Sequence, residues 1–182
     1  MIPHVKRPGP AEIWEAILNS TALALACVTT FWLAGSILAR FYTVPPADRA
    51  LGGLWALIAT TFVFRDSYTR SRTAAVSRMA ATSVSFVLCL IYLLFLPFHL
   101  WALGLLIGLT VLATTLAGRP DDSVTAVAST TVVMVLAAVS PHDAWEQPIL
   151  RFADTLVGVV VGIAAASIAL RVIPHPGGSE ST

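Results

Sequence analysis

The sequence predicts an all-α, polytopic membrane protein: six transmembrane helices arranged as two inverted three-helix repeats, with both termini cytoplasmic. Three observations predict it. The 182 residues are 57% hydrophobic and 12% charged, with mean hydropathy +0.81, whereas an ordinary soluble domain carries about 25% charged residues. The apolar residues gather into six long runs. Two ten-residue stretches, one in each half of the chain, are identical at five of their ten positions.

The runs are Ile13–Leu38, Leu51–Phe64, Ala74–Leu96, Phe98–Ala117, Val124–Val139 and Phe152–Ile173. Most approach the ~20 residues a helix needs to cross hydrocarbon; the second and fifth are shorter. They are long for strands and lack strict alternation, so helix is the better assignment. Pro45-Pro46, Pro97, Gly118-Arg119-Pro120 and Pro141 fall between them, where a helix has to stop. The tight break at Pro97 makes the third and fourth helices antiparallel neighbours. The first run exceeds the apolar core of a signal peptide and carries Glu15 and Asn19 near its start, so it reads as a retained helix. Residues 1–12 form a cytoplasmic tail and 13–173 a membrane domain, with repeats at about 13–96 and 98–173. Residues 174–182, beginning "PHPGG", read as a disordered cytoplasmic end.

Loop charges set the orientation. With the N-terminus inside, the inner side holds Lys6, Arg7, Arg65, Arg70, Arg72, Arg78, Arg119 and Arg171, and the outer side only Arg40, Arg49 and Arg151. The bias comes mostly from the loop "RDSYTRSRTAAVSR". In this layout Trp55, Trp101 and Trp145 fall near the outer interface and Trp14 near the inner one. The location expected is the plasma (inner) membrane.

The paired stretches are "RMAATSVSFV" from Arg78 and "RFADTLVGVV" from Arg151, each opening the third helix of its half. The preceding helices echo each other as "TTFV" at Thr60 and "TTVV" at Thr130. Three helices per half is an odd number, so the halves must be inverted, a common plan for transporters. On a helix, Arg151, Asp154, Thr155, Gly158 and Gly162 share one face, as do Arg78, Ala81, Thr82, Ser85 and Cys89. Two readings stay open. Gly158-x-x-x-Gly162 with Thr82 and Thr155 allows close helix packing, with Arg151 paired to Asp154 or Glu146. Alternatively Arg78 and Arg151 line an anion route, one near each mouth. Short segments at matching positions point to a substrate site; there Thr60, Thr61, Thr130 and Thr131 could bond a carboxylate, or simply bond their own backbone. Arg65 and Asp66 form either a gate pair or a helix cap.

The stretch "LWALIATTFVFRDSYTRSRTAAVSRMAATSVSFVL" resembles the recurring element of the fusaric acid resistance protein family, also called aromatic acid exporters: an aromatic-Ala start, a helix, a polar inner loop, then Arg-x-x-Gly-Thr. Arg78 and Thr82 match it, with Ala81 where the family usually has Gly; Arg151 and Thr155 match in the second half, with Asp154 before the Thr. The similarity covers about Leu51 to Ile173. It implies a six-helix module that moves aromatic or other small organic anions, with relatives that are anion channels. Longer members carry two modules plus soluble domains, so the resemblance implies a homodimer or larger, or an accessory subunit. The alternative is a non-transporting subunit that scaffolds or regulates a partner.

Other classes are disfavoured. The net charge of +1 and the absence of a basic stripe argue against nucleic acid. Cys27 and Cys89 lie inside apolar runs and read as small buried hydrophobes. His4, His99, His142 and His175 are scattered without ligand spacing, and there is no phosphate loop or nucleophile motif. The expectation is therefore no enzyme, no metal and no cofactor.

Overall fold

The computed structural model describes residues 9–41, 46–65, 67–139 and 144–172. Among them lie six α-helices: α1 (Pro10–Phe41), α2 (Pro46–Val63), α3 (Tyr68–Phe95), α4 (Leu100–Leu116), α5 (Ser123–Val139) and α6 (Glu146–Val172). A short 3-10 helix, Pro120–Asp122, leads into α5. The tails and Asp66 lie outside the described residues.

Local chemistry sets the helix ends. α1 and α2 begin with proline, which needs no amide partner there. At α1 the Glu12 carboxylate accepts from the Gly9 amide at 3.0 Å, the glutamate half of a capping box. α3 stops before Pro97, whose carbonyl accepts from the Tyr92 hydroxyl at 3.1 Å and pins the hairpin. α4 ends on Gly118 at φ +70. There the Arg119 amide donates to Thr114 O at 2.9 Å and the Gly118 amide to Thr115 O at 3.0 Å, the two bonds of a glycine-terminated helix. Ser77 of α3 donates to Asp122, tying the 3-10 turn to the bundle.

Four stretches are long and apolar enough to span a bilayer: Glu12–Ser36, Tyr68–Phe95, Pro120–Val139 and Glu146–Val172. Arg49–Val63 and Leu100–Leu116 are apolar but shorter. The fifth run, expected to be short, therefore reaches spanning length once the 3-10 turn is added, and α4 is short in its place. Hydropathy also misplaced two helix starts. α3 begins at Tyr68, so much of the polar loop is helix, and α6 begins at Glu146 instead of Phe152. Charged residues lower hydropathy but do not break a helix; Arg78 and Arg151 therefore sit inside their helices.

Packing is inside-out relative to a soluble protein. Leu25, Trp32, Phe95, Leu116 and Val160 face outward, while Ala56, Ala59, Ala126, Ala137 and Thr60 are fully buried. Among lipid tails, large apolar side chains gain nothing by hiding from water, and small ones let backbones meet. α6 runs between α2, α3 and α1; α3 packs on α6 and α5; α4 pairs mainly with α5 and also touches α3. Cys89 is buried with Leu93, Leu106, Val133 and Met134.

α2 and α6 approach each other closely. A methyl group at Gly158 would collide with the Ala56 carbonyl oxygen and lie 2.8 Å from Ala59 Cβ; at Gly162 it would lie 3.1 Å from Val63 Cβ and 3.2 Å from Thr60 O. Both glycines lie at the contact between α2 and α6. Gly158→Ala is therefore expected to destabilise by about 1–3 kcal/mol, as overpacking does. Gly104→Ala, where nothing lies within 4 Å of the added methyl, is expected to be neutral or to gain up to about 1 kcal/mol. Thermal unfolding of both variants in detergent checks the contrast.

Candidate functional site

Three helix faces converge. α2 contributes Gly52, Trp55, Ala56, Ala59, Thr60 and Val63, at spacings of three and four. α6 contributes Arg151, Asp154, Thr155, Gly158 and Gly162. α3 contributes Arg78, Ala81, Thr82, Ser85 and Cys89. All are buried.

Near the start of α6 lies an ion pair. Arg151 Nη1 lies 3.1 Å from Asp154 Oδ2, with side chains 2% and 0% exposed. Gly52 leaves room for it: a Cβ there would stand 3.0 Å from Asp154 Oδ1 and 3.1 Å from Oδ2. Deeper, the Trp55 indole N–H donates to Thr155 Oγ1 at 3.0 Å, and Thr155 donates to the Arg151 carbonyl at 2.8 Å. The same indole ring has the Arg78 guanidinium carbon 5.2 Å from its centroid; Phe62, seven residues on, stands at 5.2 Å as well. Trp55 thus touches the Arg78 side of the site and the Arg151 side at once. Arg78 is 4% exposed. Its Nε and Nη2, and Thr82 Oγ1 one turn further, have no hydrogen-bond partner among the described residues.

Arg78 and Arg151 are both buried within the bundle, 4% and 2% exposed. Trp55 is buried as well, 8% exposed. The threonines divide. Thr60 Oγ1 lies 2.8 Å from Thr30 Oγ1 on α1 and 3.0 Å from Gly158 O on α6, as well as 3.1 Å from its own Ala56 O. Thr130 Oγ1 donates to Ser85 Oγ on α3 at 3.1 Å and meets Thr110 Oγ1 on α4 at 3.0 Å. Thr61 and Thr131 bond their own helices, at Leu57 O (3.0 Å) and Val127 O (2.9 Å). Arg65 is exposed and lines a polar recess of about 500 Å³ with Thr69, Arg70, Thr73 and Ser77, apart from the buried site. Gly52, Trp55 and Phe62 were missed. Their signal was available: on the helix that follows Pro45-Pro46, one tryptophan sits in a stripe of Gly and Ala that would otherwise be pure packing.

A bundle with large apolar side chains outside, Ala, Gly and Thr inside, and charges buried between its helices is a multi-pass membrane protein of transporter type. The model of the fusaric acid resistance protein-like family matches residues 34–165, and the chain belongs to that family. No curated protein and no solved structure matches it.

The Arg151–Asp154 pair yields a prediction. Removing one partner of a buried pair costs about 3–5 kcal/mol, whereas apolar replacement of both is often neutral. Asp154→Ala should therefore lower the melting temperature sharply, and Asp154→Ala with Arg151→Met should recover most of the loss. Equal melting of the two variants would mean that the pair is not what holds this level of the bundle.

Proposed function

We propose that this protein carries small organic anions, aromatic acids included, across the plasma (inner) membrane, by transport and not by catalysis. The observation that carries the reading is Arg78. A full positive charge inside a transmembrane bundle costs at least about 2.5–3.5 kcal/mol. Here it rests against two aromatic rings, with no carboxylate at ion-pair distance among the described residues. A cation kept at that cost without a protein counter-ion is suited to attracting an anion from outside the chain. Membership of the fusaric acid resistance protein-like family supports the same class of function.

The reading includes an architecture: two inverted three-helix repeats, both termini cytoplasmic, assembled as a homodimer or larger. The two threonine centres support the repeat. Thr60 joins its own helix to α1 and α6, and Thr130 joins its own to α4 and α3, which is the exchange an internal two-fold relation demands. Phe86 and Phe152, with ring centroids 5.0 Å apart, and Met79, packed against the cluster of Val63, Ala75 and Val159, fit the same relation, because Phe86 aligns with Val159 and Met79 with Phe152.

Reconstituted protein should give saturable organic-anion flux in liposomes, and Arg78→Gln should lower flux per folded molecule about tenfold, the scale of one charge-assisted hydrogen bond. Because Arg78 is buried, the loss should persist at high salt, unlike that of a screened surface charge. No flux from the parent would favour a scaffolding or regulatory subunit.

Topology and assembly give further checks. A reporter active only in the periplasm and fused after Thr182 should stay silent, as the excess of arginine on the inner loops requires. Light scattering corrected for detergent should give twice the chain mass or more.

A further inference from the structure

We infer that Arg78 and Thr82 form a carboxylate-binding site on the α2-facing side of α3, its anion held in the plane of the guanidinium by Nε–H and Nη2–H. This deepens the proposed function by naming the group recognised, and its test measures binding separately from flux.

The first argument is geometric. A guanidinium offers its N–H groups in a rigid planar fork. The two nitrogens without partners, Nε and Nη2, are the two that form its side edge, where parallel N–H bonds match the two oxygens of one carboxylate. Trp55 and Phe62 each stand 5.2 Å from the guanidinium carbon and favour the cation through their ring faces, so the vacant donors lie along the edge.

The second argument comes from Thr82. Other buried threonines in this bundle have a partner for the hydroxyl: Thr30 bonds Ala26 O at 2.8 Å, Thr114 bonds Thr110 O at 2.9 Å, Thr155 bonds Arg151 O at 2.8 Å, and Thr110 and Thr130 meet each other at 3.0 Å. Thr82, 3% exposed, has no partner for its hydroxyl among the described residues. It is a second unspent donor on the same helix face, one turn from Arg78.

The third argument is an internal template. Arg78-Met-Ala-Ala81-Thr82 aligns with Arg151-Phe-Ala-Asp154-Thr155. In the second copy the arginine is met by the carboxylate three residues on, Asp154, at 3.1 Å. In the first copy that position is Ala81, a methyl group, 1% exposed. The chain therefore carries one copy of the motif with its carboxylate built in and one copy without it. Asp154 reaches Arg151 at Nη1; a carboxylate from solution would give Arg78 the same counter-charge, seated at its Nε–Nη2 edge.

Titration calorimetry of the detergent-solubilised full chain, with acetate and benzoate as probes and phosphate and methylammonium as controls, tests this. The parent should bind both carboxylates saturably, phosphate at least tenfold more weakly and methylammonium not at all. Arg78→Gln should weaken carboxylate binding at least tenfold. Arg78→Lys, which keeps the charge but not the fork, should weaken it nearly as much, and Thr82→Val about fivefold. Ala81→Asp, which places a counter-charge three residues from Arg78 as Asp154 is placed from Arg151, should weaken carboxylate binding at least tenfold. No saturable carboxylate binding by the parent, or full binding in Arg78→Lys, overturns the proposal. So does full binding in a folded Ala81→Asp variant; should that variant fail to fold, Arg78→Lys decides. Binding with these dependences but without flux in liposomes would leave the site standing and remove the transport reading.

Discussion

The structure depends on how closely α2 and α6 approach each other. With no Cβ on Gly158, the Ala56 carbonyl can lie where a methyl group would otherwise be. That contact fixes the height at which the two helices meet, and other contacts follow in register. Gly52 faces Asp154, Trp55 reaches Thr155 at 3.0 Å, and Thr60 reaches the Gly158 carbonyl at 3.0 Å. Each is a polar contact between helices that hydrocarbon rewards only when the geometry is met, because no water is present to satisfy a missed partner.

Against this frame the two arginines differ. Arg151 has its counter-charge on its own helix, one turn away, in a space that Gly52 keeps open. Arg78 has aromatic rings and no ion pair among the described residues. Cation–π contact is worth about 2 kcal/mol when desolvated, less than a buried charge costs in hydrocarbon. The first arginine completes a structural pair; the second leaves a deficit that a bound anion can fill. Trp55 connects them, its ring on one and its N–H bonded beside the other.

Much of the site was legible because the helical period is rigid. Spacings of three and four put Arg151, Asp154, Thr155, Gly158 and Gly162 on one face, and the structure buries that face whole. The aligned motifs gave the matching face of α3. The contact of Trp55 was not legible, because indole suits both a membrane interface and a buried hydrogen bond, and only the structure gives it the bond to Thr155. The ends of an apolar run show where charge begins, but the helix continues through the charged residues, so Arg78 lies about ten residues inside α3.

The sequence by itself determined the membrane class, the helical secondary structure, the family and the residue faces, because each follows from local quantities: hydropathy, period and a short motif. Only the tertiary structure decided which faces meet. It chose Thr60 and Thr130 as links between helices while Thr61 and Thr131 bond back to their own. It paired Arg151 with Asp154 at 3.1 Å inside the bundle and left Arg78 between two rings. The physical reason is that these outcomes rest on distances between residues up to a hundred positions apart in the chain, as from Trp55 to Thr155. Such distances are set by the volume of the side chains at a helix crossing, above all by the missing Cβ of Gly158.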